Sequence, residues 1–144
     1  MAHDFKKFPE LTNNQMNLYY FDSPHQQIVG EFDAKVVKVT DGDTVRLQVG
    51  FRDFTFPIRM SNLMAPELNE KGGVRSRNHL KGLIEGAMVE IFLEDERVEK
   101  WGRLLGKIKH KGFDIGEQML ADGFAVGVWQ EQIGIKNLQI TLDL

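Results

Sequence analysis

The 144 residues include no cysteine. Disulfides, thiolate zinc sites and a cysteine nucleophile are thereby excluded, while the compartment stays open. No apolar run approaches the roughly 20 residues that span a bilayer, so no membrane-spanning helix is expected. The first residues, MAHDFKKFPELTNNQMN, lack the continuous apolar stretch of a secretory signal, and an intracellular protein is the expectation. Internal repeats and low-complexity tracts are absent. Positive charge is not in excess: 18 Lys and Arg stand against 21 Asp and Glu, a net charge of -3. Such a balance argues against a chain that coats nucleic acid through bulk charge. The four histidines, His3, His25, His79 and His110, do not fall at metal-ligand spacing, so surface roles are their default.

What is present is ordinary in total and uneven in distribution. Hydrophobic residues make up 42% and charged residues 27%, as in a soluble globular domain, and the length suits one domain with a real core. Residues 70–111 hold ten Lys or Arg against seven Asp or Glu, whereas residues 112–144 hold one against five. A basic middle can attract phosphates; solvated charge on loops and a helix explains the count equally well.

Three organisational zones follow: an extension over residues 1–30 that wraps the domain or is partly mobile, a domain over 31–129, and a tail over 130–144. In the domain, Phe32, Ala34, Val36 and then Val37, Val39 alternate with a register change between the two sets. Val45, Leu47, Val49 and Phe54, Phe56, Ile58, Met60 continue the period of two, which predicts a three-stranded meander. GGVRSRNHLKGLIEGA is predicted helical, with Val74, Leu80, Leu83 and Ile84 on its inner face and Gly86 as its stop. AMVEIFLED and RLLGKIKHKG predict strands four and five, and FDIGEQMLADGFA a helix capped by Asp114 and stopped by Gly123. The order predicts an α+β, mainly β fold: a five-stranded Greek-key barrel of the oligonucleotide-binding (OB) type with two to three helices. In the tail, LQITLDL alternates as an edge or partner-binding strand does, with disorder as the alternative.

Four stretches carry candidate chemistry: DGDT at 41–44, IRMSNLMAPEL at 58–68, EKWGRLLGKI at 99–108 and DGFAVGVW at 122–129. Singly, each has a plain structural reading. Asp-Gly is a hairpin turn, Arg59 pairs with a carboxylate, Ala65-Pro66 ends a strand, Glu67 caps a turn, and Trp101 and Trp129 fill a core or lid. In this order and spacing, over about residues 31–129, they resemble the staphylococcal nuclease (thermonuclease) family, with its DGDT turn, strand ending in Arg, DxPE-like loop and later YGR strand. The resemblance implies a metal-dependent nuclease acting on DNA or RNA. It implies Asp43 as a direct calcium ligand, Asp41 as a carboxylate acting through water, and the Ala65 carbonyl as a backbone ligand. Arg59 and Arg103 would grip the phosphate and Glu67 would serve the attacking water. Lys100 and Trp101 would lie beside the nucleotide phosphate, and Trp129 would stack on the base.

Phosphodiester hydrolysis explains such a set. Negative charge grows on a five-coordinate phosphorus, and two guanidiniums contact its oxygens in a fixed bidentate geometry that lysine does not reproduce. A hard cation with oxygen ligands adds Lewis-acid polarisation, a carboxylate orients or deprotonates water, and a flat ring stacks on any base. One position departs from the pattern. The family's second direct carboxylate, two residues before the proline, is here Met64, a soft and neutral side chain unsuited to calcium. Three readings remain open: a nuclease whose site is completed by Asn62, Asn69, Glu70 or the substrate phosphate; a nucleic-acid-binding module that has lost hydrolysis; and a protein-interaction scaffold.

Overall fold

The structure is a computed structural model of the chain, and it describes residues 2–127. In chain order its elements are α1 (Asn13–Tyr19), β1 (Phe32–Val39), β2 (Thr44–Gln48), β3 (Phe56–Met60), β4 (Leu63–Met64), α2 (Gly73–Ile84), β5 (Met88–Val98), β6 (Leu104–His110), β7 (Phe113–Asp114), α3 (Ile115–Ala121) and β8 (Val126–Gly127). Strands β3-β2-β1-β5-β6 lie side by side, and β3 closes on β6 in parallel. Among the described residues, the result is a closed five-stranded barrel, mainly β, with three α-helices and a short 3-10 helix at Tyr20–Asp22. The short β7 extends the β6 edge, and β4 pairs with β8 as a separate two-stranded ladder.

The period-two pattern drives this closure. Ala34, Val36, Val45, Leu47, Phe56, Ile58, Ile91, Leu104 and Ile108 point inward and are buried, since alternate residues of a strand share a face. The expected register change in β1 is present as an irregularity between Val36 and Lys38, which returns Val39 to the core.

Helix α2 departs from its predicted face. Leu80 and Ile84 are buried, but Val74 is 48% exposed and Ser76 is completely buried. The first turns of α2 lie over the 41–44 turn rather than over the apolar barrel. A Cβ on Gly42 would collide with Ser76 Oγ and Ala65 Cβ, so only a small side chain fits at 76. Its hydroxyl donates to the Phe124 carbonyl at 2.8 Å, and this satisfies a buried polar group. The helix stops at Gly86, whose φ of 84° is one that glycine adopts without steric cost. Asp114 caps α3 as expected, accepting the Glu117 N–H at 3.1 Å.

The N-terminal segment is an ordered wrap that carries a helix, α1, unforeseen from periodicity. Thr12 and Gln15 form a reciprocal capping box at its start. Glu10 and Arg52 make a buried two-point ion pair at 2.6 and 2.9 Å. Leu11 is fully buried, and its N–H donates to the Gln27 side chain. Arg97 donates to the carbonyls of Ile28 and Leu11 and to the Asn13 side chain. Among the described residues, no helix is long and apolar enough to cross a membrane. The expected tail strand and Trp129 lie outside the described residues.

Candidate functional site

The 41–44 stretch is a hairpin turn at one end of the barrel. The N–H groups of Thr40 and Asp41 both donate to the Thr44 carbonyl, at 3.0 and 3.3 Å. Asp41 Oδ1 accepts the Asp43 N–H at 3.0 Å, a local bond of the kind that favours aspartate in turns. Asp43 is thereby turned inward: it is only 8% exposed, although it belongs to a turn.

Four groups meet the Asp43 carboxylate. Thr44 Oγ1 donates to Oδ1 at 3.0 Å, the Ala65 N–H donates to Oδ2 at 3.2 Å, Arg59 Nη2 approaches Oδ2 at 3.5 Å, and Asp41 is a neighbouring acid. Burial, followed by the hydrogen bond and charge of Asp41, lifts the Asp43 carboxyl from 3.8 to about 7, against the smaller pull of Arg59 and the Ala65 N–H. Burial and the neighbouring acid thus outweigh the positive charge that Arg59 brings.

Arg59 projects from β3 between two backbone carbonyls, donating to Met60 at 3.1 Å and Leu63 at 3.2 Å. Arg103 enters from the start of β6, which the parallel β3–β6 pairing places beside β3. Its Nη1 donates to Thr44 Oγ1 at 3.3 Å, while Nε and Nη2 clasp Glu99 at 3.0 and 3.1 Å. Burial works to raise the Glu99 carboxyl, but hydrogen bonds and charge from Arg103 outweigh it and the group is lowered overall. Both guanidiniums are thus joined through adjacent residues: Arg103 to Thr44, Thr44 to Asp43, Asp43 to Arg59. Glu99 stands out only in three dimensions; its signal in sequence is a carboxylate four residues before Arg103.

The remaining expected residues divide. Ala65 lies at the site, where its N–H bonds Asp43. Glu67 sits on the exposed loop before α2, and its backbone is fixed by Glu70, whose side chain accepts the Glu67 N–H at 2.8 Å. A Cβ on Gly73 would strike the Glu67 carbonyl, so the helix start tucks closely under this loop. Neither arginine forms an ion pair with Glu67; they hold Asp43 and Glu99 instead. Lys100 Nζ lies 5.2 Å from the ring centre of Trp101, which is 67% exposed. Met64 is half-buried in the β4–β8 ladder opposite Val126.

A resident calcium does not fit the described donors as they stand. Among the described residues, no three His, Cys, Asp or Glu side chains come together in a metal-holding group. Calcium takes six to eight oxygens. Asp41 and Asp43 offer two carboxylates, and the oxygens of Asp43 already accept from Thr44, Ala65 and Arg59.

No protein-family model matches the chain. Over 70 residues it is 41% identical to a probable staphylococcal-like nuclease of Oryza sativa subsp. japonica, a match that takes in 49% of this chain and 18% of the relative. It is 31% identical over 78 residues to micrococcal nuclease of Shigella flexneri, covering 54% of this chain and 42% of that protein. An uncharacterized endonuclease of Escherichia coli O157:H7 is 28% identical over 109 residues, 75% of this chain and 67% of its own length. The chain therefore spans less than half the length of the first two relatives.

Proposed function

We propose that this chain is a staphylococcal-nuclease-like nuclease hydrolysing phosphodiester bonds of DNA or RNA; its similarity to proteins named as nucleases and its closed barrel support the reading. The observation that carries the reading is the junction of Arg59 and Arg103 at the 41–44 turn, Arg59 on β3 and Arg103 immediately before β6, the two strands whose parallel pairing closes the barrel. Two guanidiniums held at the junction of paired strands suit the equatorial oxygens of a reacting phosphate.

In this reading Arg59 and Arg103 bind the phosphate and stabilise the charge that grows on it. Glu99 is a positioning residue that keeps Arg103 in one geometry. Glu67, on its exposed loop, takes the proton of the attacking water. The water oxygen bonds to phosphorus, the bond to the departing sugar oxygen breaks with its electron pair passing to that oxygen, and solvent protonates the leaving group. No step is routed through calcium, because the described donors do not complete its shell.

The test is cleavage of labelled single-stranded DNA and RNA in calcium, magnesium, manganese and chelator, beside Arg59→Ala and Glu67→Gln. Cleavage by the parent chain that both variants lose supports the proposal. Binding without cleavage in every condition rejects it in favour of a phosphate-gripping module, the reading that Met64 favours.

A further inference from the structure

Beside Arg103 the barrel and the N-terminal segment enclose a groove of about 710 Å³ that runs from Trp101, Gly102 and Arg103 across β2 and β3 to residues 5–9. Its volume lies within the range of ligand sites. Its charge is opposite to that of the chain. Lys6, Lys7, Arg46 and Arg103 line it against one carboxylate, Asp53, in a protein whose net charge is -3. Beside three prolines, its apolar lining holds three aromatic side chains: Phe5, Phe54 and the exposed ring of Trp101. Clustered cations interleaved with rings match the two needs of an unpaired strand, a path for phosphates and faces for bases.

The N-terminal wall of this groove is held in place. Behind it, Glu10 is locked to Arg52 by the buried ion pair. In front, Phe8 packs on Gly102, whose φ of 85° and lack of a side chain leave room for the ring. The extension therefore touches the same loop that presents Trp101 and Arg103. Arg46 is steadied from β2 by Thr55, through bonds of 3.2 and 2.8 Å.

We propose that the N-terminal segment is a second wall of the substrate site, and that Lys6, Lys7, Arg46 and Trp101 hold the single-stranded flank of a nucleic acid whose reacting phosphate lies at Arg59 and Arg103. The inference rests on the nuclease reading for that last phosphate alone. A duplex does not suit a groove whose rings must meet unpaired bases.

The test is fluorescence anisotropy of labelled oligothymidylate, oligouridylate and a DNA duplex in chelator, titrated across salt concentration. The proteins are the full chain, Lys6→Ala/Lys7→Ala, and Lys107→Ala/Lys109→Ala, which removes the same charge from β6 outside the groove. Each single-stranded phosphate contact contributes about 0.7 to the salt slope, so loss of Lys6 and Lys7 is expected to lower the slope by about 1.4 and to weaken binding on the order of tenfold. The β6 variant is expected to change both far less. Equal effects of the two variants, tighter binding of the duplex, or no binding by the full chain would each overturn the groove. The two homopolymers show whether the strand is DNA or RNA. Binding that depends on Lys6 and Lys7 without cleavage in any metal would retain the groove and reject the nuclease. Cleavage indifferent to Lys6 and Lys7 would do the reverse.

Discussion

Replacing Glu10 by Ala is the most direct probe of how the N-terminal wrap is attached. The Glu10 and Arg52 side chains are 1% and 0% exposed and meet in two hydrogen bonds. Arg52 also donates to the Gln26 carbonyl and lies over the rings of Phe54 and Phe56 at 5.1 and 4.6 Å. Removing the carboxylate leaves this guanidinium without its counter-ion. It also removes a charge that supports Arg97, whose hold on its proton is weakened first by burial, with Glu10 opposing and Arg52 adding to the loss. Breaking a buried pair from one side costs about 3–5 kcal/mol, about a fifth or more of the stability of a domain held by about 5–15 kcal/mol. Glu10→Ala is expected to lower the urea midpoint accordingly, and more than Arg52→Met does, because it leaves two buried guanidiniums and not one carboxylate. The double variant is expected to recover part of the loss. The assay is equilibrium unfolding by far-ultraviolet circular dichroism on all four members of the cycle. A cost below about 1 kcal/mol for Glu10→Ala, or strict additivity, would mean that the pair is solvated and the wrap is loose.

Three further outcomes are expected. Glu67→Gln should reduce nuclease turnover by at least about a hundredfold while leaving DNA affinity equal or higher, and an unchanged rate would remove Glu67 from the chemistry. Met64→Asp should raise calcium affinity on calorimetric titration by adding a hard ligand beside Asp43; no gain would mean that the 63–64 ladder turns the new carboxylate away. In chelator, Asp43 governs a pH dependence whose sign follows from its raised carboxyl, at about 7 folded against 3.8. Between those values the folded state binds the proton more tightly than the unfolded chain, so stability is highest below the lower value and falls as pH rises through the upper one. The melting temperature of Asp43→Asn relative to the parent should therefore improve from acid to alkaline pH, and a difference independent of pH would refute the assignment.

The barrel was legible because its signal is local and redundant. Five strands each repeat the two-residue period, and the Val36–Val37 break in β1 is visible as two adjacent apolar residues. The wrap was harder to read. α1 buries no residue, so no apolar stripe marks it, and periodicity is the wrong instrument for it. Its one signal is Thr12 with Gln15 three residues on, the capping-box spacing, which looks like any polar cluster until the reciprocal bonds are seen. The partners that fix the wrap are 42 and 86 residues away, Glu10 on Arg52 and Leu11 on Arg97, and no local pattern encodes such pairings. The misplaced Val74 has the same origin. Helical periodicity finds a stripe, but what covers that stripe changes along α2 from the barrel core to a glycine turn that admits only Ser76.

At the candidate site, the structure draws Asp41, Asp43, Arg59 and Arg103, all singled out from residue type and order, to one turn. Residue type and order were not enough to describe what each touches. Arg103 is bound to Glu99, and the Ala65 backbone meets Asp43 through its N–H. Met64 has an occupation of its own, opposite Val126 in the ladder that ties the 63–64 segment to 126–127. A half-buried ladder position favours an apolar side chain, and an aspartate there would bring a charge against Val126 unless a cation or arginine met it. The same ladder carries Leu63, whose carbonyl receives Arg59. A change at Met64 therefore acts on the same short strand whose Leu63 carbonyl holds Arg59.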